Sequence, residues 1–262
     1  MLNLNLKNKT VLVTGASKGM GFKIAEQFAH QGSNVVLVAR DKNNLIKAYN
    51  KLNVKKYSVN YIIGDISKLN TCKKIFTFCK KKYGNIDILI NNAGGPPMGT
   101  ISEMNENEWN KSIQTNLMSV VRLTKLVLTG MKKKKWGRII TITSTIAKEP
   151  TPEMILSATS RGGLAAFNKA ICLEYAQYNI TSNIIAPGGV FTERLKSLFL
   201  SKSKREKIKY NILLENAQRN IPAKRFAKPD EIAKIAIFLG SEQASYINGV
   251  ILPVDGGLTR SY

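Results

Sequence analysis

Seven short apolar runs recur along the chain, and stretches of helical periodicity separate most of them. The runs are TVLVTG (10–15), NVVLVAR (34–40), YSVNYII (57–63), IDILINN (86–92), GRIITIT (137–143), ITSNIIA (180–186) and VILPV (250–254). Most are near-continuous in Val, Ile and Leu, the composition of a strand covered on both faces. Helix-period segments lie near 20–31, 41–52, 68–83, 105–131, 156–178 and 229–239. Strands alternating with helices join through right-handed crossovers into a parallel sheet layered by helices on both sides. No Pro- or Ser-rich linker and no repeat divides the 262 residues. The expected fold is therefore α/β, a single domain over 1–262 built on a doubly wound parallel sheet.

Residues 191–217, FTERLKSLFLSKSKREKIKYNILLENA, are helical but fall outside this alternation. An insertion there belongs near the carboxyl ends of the strands, where open α/β sheets bind ligands. Two readings stand: a lid over a substrate pocket, or a docked surface helix pair.

Composition narrows the function. Lys and Arg number 40 against 17 Asp and Glu, a formal charge of +23. A surplus of this size suits nucleic acid, anionic membrane or an acidic partner. The lysines are nevertheless spread along the chain, and the densest runs, 80–82 and 132–135, fall at the ends of helical segments, where they favour the helix dipole. With no nucleic-acid-binding motif beside them, nucleic acid is not an expected partner. No secretory signal pattern is visible, and no apolar run approaches the roughly 18 residues of a membrane span. Three scattered cysteines, Cys72, Cys79 and Cys172, give no metal-ligand spacing. They read as small core residues of a protein in a reducing cytoplasm, with no metal expected.

The stretch TVLVTGASKGMG joins the first strand to the first helix. Gly15, Gly19 and Gly21 allow a sharp turn and close approach of a pyrophosphate, which the helix N-terminus then holds with unpaired N–H groups. Ser17, Lys18 and Met20 belong to the same cofactor-binding turn. The spacing is G-x-x-x-G-x-G, set between strand and helix as a Rossmann-type nucleotide site requires. At the end of the second strand an acid would bind the ribose hydroxyls of NAD, whereas a basic group accommodates a 2′-phosphate. Ala39 and Arg40 stand there, with Lys18 nearby in the glycine turn, so the expected cofactor is NADP(H).

Further segments follow in order: GDIS with Asp65, NNAGG from Asn91, TNLMSV with Asn116, ITITS ending at Ser144, APGGVFT from Pro187 to Thr192, and a closing VDGG at 254–257. Together these motifs resemble the short-chain dehydrogenase/reductase family essentially end to end. The resemblance implies that Asp65 and Ile66 meet the adenine, that Asn91, Ala93 and Gly94 lie beside the nucleotide, and that Pro187, Gly188, Val190 and Thr192 hold the nicotinamide end. It also implies assembly as a homotetramer or homodimer.

The family reduces carbonyls with an Asn, Ser, Tyr and Lys set, the tyrosine 13 residues after the serine and the lysine four further on. Asn116 and Ser144 match. The other two positions are Ser157 and Arg161, and no tyrosine occurs between Tyr83 and Tyr175. A serine hydroxyl is a far weaker acid than tyrosine, with its solution pKa near 10, and arginine does not give up its proton. Ser157 is therefore expected to hydrogen-bond an oxyanion with Ser144 rather than to be a strong proton donor. Arg161, one turn away on the same face, would bind the nicotinamide ribose or place positive charge near the oxyanion, and a water anchored by Asn116 would carry the proton. Glu149 and Glu153 border the same region as solvated loop carboxylates, alternative acids only if burial raised their pKa. His30, the one histidine, lies on the first helix away from the strand ends.

The resulting expectation is an NADP(H)-dependent oxidoreductase acting on a small-molecule carbonyl or alcohol, with a 3-oxoacyl thioester as the favoured substrate. The alternative is an NADP(H)-binding pseudoenzyme, a sensor or scaffold. Dehydration or isomerisation chemistry over a structural nucleotide is a third.

Overall fold

The computed structural model describes residues 3–55 and 57–261; Met1, Leu2, Lys56 and Tyr262 lie outside the described residues. Seven parallel strands form one sheet: β1 (Thr10–Thr14), β2 (Asn34–Ala39), β3 (Val59–Ile63), β4 (Ile88–Asn92), β5 (Gly137–Ile142), β6 (Ile180–Pro187) and β7 (Ile251–Val254), in the order β3-β2-β1-β4-β5-β6-β7. Each lies within or one residue beyond an apolar run of the sequence. The chain leaves β1 in one direction to build β2 and β3 and in the other to build β4 to β7, so the crevice between β1 and β4 is the switch point at which such sheets bind ligands.

Side-chain parity divides the core into two layers, because successive strand residues point to opposite faces. Val11, Val13, Val35, Leu37, Ile88 and Ile90 face one layer, covered by α1 (Gly19–His30), α2 (Lys42–Asn53) and α9 (Pro229–Leu239). Leu12, Val36, Val38 and Leu89 face the other, covered by α3 (Leu69–Tyr83), α5 (Ser119–Lys134) and α6 (Ile155–Tyr175). Cys72 and Cys79 are buried in this second layer, with Cys172 also buried; all three are free. Burial pushes the Cys79 thiol up to about 12, so it stays a neutral packing group. Lys80 to Lys82 and Lys132 to Lys134 occupy the last turns of α3 and α5, where the helix dipole favours cations.

The segment expected as one helix over 105–131 is three pieces. α4 (Glu106–Ser112) runs into a π-helical turn, Ile113–Met118, and then into α5. The insertion forms α7 (Glu193–Glu206) and α8 (Tyr210–Asn220). Among the described residues no helix is long and apolar enough to cross a membrane.

Candidate active site

A cleft of about 510 Å³ opens along the carboxyl ends of the strands. Its nucleotide end is built by the turn after β1. Gly15 and Gly19 adopt φ of +59° and +60°, the left-handed region that glycine enters without steric cost. Gly21 does not line the cleft. A Cβ there would stand 2.3 Å from the Gly15 carbonyl oxygen, so its role is to let α1 pack against the turn. Lys18 is the N-cap of α1 and places no side-chain acceptor on the helix, and the first turn has no acidic residue. The N-terminal N–H groups of α1 are thus left for a ligand, with the positive end of the helix dipole behind them.

Ser17, Lys18, Met20, Arg40, Asp65 and Ile66 also line this end. Asp41 and Asn44, not singled out in the sequence, join them. Asp41 caps α2 by accepting the Asn44 backbone N–H at 2.9 Å, which with the Asn44 side chain holds its carboxyl below the usual range. Arg40 is exposed and forms no ion pair among the described residues.

Strand parity corrects one expectation. Of the Asn91–Asn92 pair, it is Asn92 that borders the cleft, with Ala93 and Gly94; Asn91 points to the opposite face. The Asn92 side chain donates to the Thr14 and Gly15 carbonyl oxygens at 3.2 Å each, and the Thr14 hydroxyl donates to the Asn92 carbonyl at 2.9 Å. Asn92 is thus a brace for the glycine turn. Asn91 reaches a separate small cavity of about 10 Å³, and neither polar atom of its amide has a protein partner. Asn116 is there too, set on the π-helical turn, its Nδ2 donating to the Ser112 carbonyl at 3.2 Å. It therefore stands behind the main cleft and not in its wall, and Arg161 borders both spaces.

The same cleft gathers Ser144, Ser157 and Arg161. Ser144 follows β5 and caps a short 3₁₀ turn, accepting the Ile146 N–H at 3.4 Å. Ser157 is fully buried in the first turn of α6, and Arg161, 8 % exposed, donates through Nη1 to its Oγ. With its oxygen engaged by a guanidinium, the Ser157 hydroxyl keeps its own proton to give. Burial, with the charge of Arg194 as a lesser cause, pushes Arg161 down to about 10, which leaves it a cation at neutral pH. Among the described residues lining the cleft there is no tyrosine, histidine or cysteine.

Glu149 and Glu153 are not in the cleft wall. Glu149 accepts the backbone N–H groups of Ser261 and Arg260 at 2.7 Å each, which holds it below the usual carboxylate range, and Glu153 pairs with Arg205 at 3.1 Å. His30 hydrogen-bonds Tyr57 at 2.7 Å, remote from the cleft. Pro187, Gly188, Val190 and Thr192 follow or end β6 in the cleft wall. From the insertion come Glu193, Arg194, Leu195 and Leu198 of α7. Arg194, which no sequence motif marks out, donates to the Pro96 carbonyl at 2.5 Å, tying α7 to the loop after β4.

A parallel sheet with a glycine turn, an uncapped helix and basic residues at its switch point defines a Rossmann-type nucleotide-binding protein. The chain belongs to the short chain dehydrogenase family, whose model matches residues 9–203. It is 37 % identical over 255 residues to the 3-oxoacyl-(acyl-carrier-protein) reductase FabG of Buchnera aphidicola subsp. Schizaphis graminum, covering 97 % of this chain and 99 % of that protein. It is 33 % identical over 257 residues to the D-beta-hydroxybutyrate dehydrogenase of Cupriavidus necator, covering 96 % and 98 %. Among solved structures, the L-sorbose reductase of Gluconobacter frateurii complexed with NADPH and L-sorbose superposes with a TM-score of 0.94 at 30 % identity, over the whole of both chains. The actinorhodin polyketide ketoreductase with NADPH does so with a TM-score of 0.94 at 29 % identity, over 97 % of this chain and 98 % of that one.

Proposed function

We propose that this protein is an NADP(H)-dependent oxidoreductase that interconverts a carbonyl and an alcohol on a 3-oxo/3-hydroxy compound. The carrying observation is that one cleft joins the glycine turn, the uncapped α1 N-terminus and Arg40 at one end to Ser144, Ser157 and Arg161 at the other. Two of the similar proteins named above act by name on 3-oxoacyl groups and on beta-hydroxybutyrate, and a 3-oxo/3-hydroxy pair is common to those two. Among thioesters, a 3-oxoacyl group on an acidic carrier would suit the +23 charge.

When bound, NADPH would supply a hydride to the carbonyl carbon. The residues of the chain do the rest. The α1 N-terminus and the glycine turn would hold the pyrophosphate, Arg40 and Lys18 the 2′-phosphate, and Asp65 and Ile66 the adenine side. Val190 and Thr192 would orient the nicotinamide end. The Ser144 and Ser157 hydroxyls donate to the carbonyl oxygen as it gains charge, and the Arg161 guanidinium on Ser157 Oγ sharpens Ser157 as the donor. This set departs from the family's Tyr and Lys. Water in the small cavity of Asn91 and Asn116 would replace the proton.

The α7–α8 segment would act as a lid, held by the contacts of Arg194 and Arg205. The chain is proposed to assemble as a homodimer or homotetramer, in keeping with exposed Tyr246, Leu252 and Leu258 beside the open edge at β7.

The test is NADPH oxidation against 3-oxoacyl thioesters, 3-oxo acids, diketones and quinones, with Ser144→Ala as control. Turnover that falls at least about 100-fold in Ser144→Ala, while NADPH fluorescence titration is unchanged, is the expected result. NADPH binding without turnover on any substrate would refute the oxidoreductase and favour a sensor.

A further inference from the structure

Arg161 and Arg194 reach one patch of the cleft from two different helices. Arg161 rises from the second turn of α6, and Arg194 comes from the start of α7 on the solvent side. Gly95 lies between them. A Cβ on Gly95 would stand 3.7 Å from Arg161 Nη2 and 3.5 and 3.7 Å from Nη2 and Nε of Arg194. Both guanidiniums therefore border the same point.

Among the described residues no carboxylate lies within 4.0 Å of either group. Their side-chain contacts are neutral, Arg161 with Ser157 Oγ and Arg194 with the Pro96 carbonyl. A guanidinium carries five N–H donors, so most remain unused. Buried cations are ordinarily paired, yet Arg161, 8 % exposed, has another cation for its charged neighbour. An anion between them relieves both the burial and the repulsion, and a planar carboxylate matches two such forks. The cofactor phosphates have a separate cradle at the α1 N-terminus and Arg40.

We propose that Arg161 and Arg194 form an anion subsite beside Ser144 and Ser157, and that the substrate is a carbonyl compound bearing its own carboxylate, a short oxo acid in the reductive direction. This rests on the oxidoreductase reading and chooses, within 3-oxo compounds, the free acid over the neutral thioester. The reaction balances as hydride from NADPH to the carbonyl carbon and a proton to its oxygen. NADP+ and a hydroxy acid are formed, and the carboxylate is unchanged.

The test compares acetoacetate with two neutral analogues, ethyl acetoacetate and the acetoacetyl thioester of N-acetylcysteamine, in wild type, Arg194→Met and Arg194→Lys. Calorimetric titration of acetoacetate into the NADP+ complex runs alongside. Wild type should prefer acetoacetate by about 10- to 100-fold in kcat/KM, the worth of a charged hydrogen-bonded contact. In Arg194→Met that preference should fall towards parity through KM, with the calorimetric signal lost, and Arg194→Lys should recover part of it. A wild type that prefers the neutral analogues overturns the subsite and leaves the oxidoreductase standing. Weakened NADPH binding in Arg194→Met with the acetoacetate preference intact overturns it too, assigning Arg194 to the cofactor. Arg194-dependent binding of acetoacetate without any turnover would support the subsite and refute the oxidoreductase. Acetoacetate that is neither bound nor turned over refutes the subsite.

Discussion

Replacing Arg161 with Met should make the ligand-free protein more stable. Its guanidinium is lowered from the ordinary arginine value to about 10, with burial the larger cause and Arg194 the lesser. A pKa difference of one is worth about 1.4 kcal/mol, and an ordinary arginine lies at about 12.5 or above, so holding this charge costs the fold about 3 kcal/mol. A cation whose folded pKa lies below its unfolded value costs stability wherever it is charged in both states. The full cost is therefore present at pH 7 and would be relieved only as pH rises above about 10. Met keeps much of the aliphatic stem but leaves Ser157 Oγ without its donor, a loss of about 1 kcal/mol. The net gain is about 2 kcal/mol, or roughly 4–8 °C in Tm for a domain of this size. Thermal melts at matched protein concentration, without cofactor, read this directly. A variant that melts below the wild type would mean that the fold itself satisfies Arg161, and the case for an anion between the two arginines would fall with it.

Arg40→Asp should reverse the preference between NADPH and NADH. The expected change in the ratio of their KM values is roughly 10- to 100-fold per cofactor, since charged hydrogen bonds are worth about 1.5–3 kcal/mol, and an unchanged ratio would refute the 2′-phosphate assignment. Gly21→Ala would place a Cβ 2.3 Å from the Gly15 carbonyl oxygen and 2.6 Å from Asn92 Nδ2. It should cost about 1–3 kcal/mol in a urea titration and weaken NADPH binding at least about 10-fold, and wild-type affinity would refute its packing role.

The sheet is legible in the sequence because both of its faces are covered, so buried strands such as β1 and β2 announce themselves as unbroken Val and Leu. The glycine turn is legible for a related reason, since Gly15 and Gly19 take φ values other residues avoid. What escapes depends on contacts distant in sequence. Arg194 sits among exposed polar residues of α7, and only folding brings it to Pro96, 98 residues away. Asn91 and Asn92 are chemically identical neighbours, and strand parity alone decides which faces the cleft. The π-helical turn at Ile113–Met118 reads as plain helix, because one wider turn leaves the apolar pattern on either side nearly unchanged. Nor can a sequence show that no carboxylate among the described residues lies within 4.0 Å of the Arg161 guanidinium, which is a statement about space.

The Asn92 brace also bears on the order in which the protein acquires its ligand. The glycine turn, α1 and Arg40 all lie within the first forty residues, but the side chain that fixes the turn comes 78 residues after its partner Thr14, on the strand that docks on the other side of β1. A chain emerging from the ribosome would expose every residue of the nucleotide motif well before it had a nucleotide site. A turn braced by Asn92 is complete only once β4 has docked beside β1, so a nucleotide site of this kind would follow the closing of the sheet's centre and not guide it.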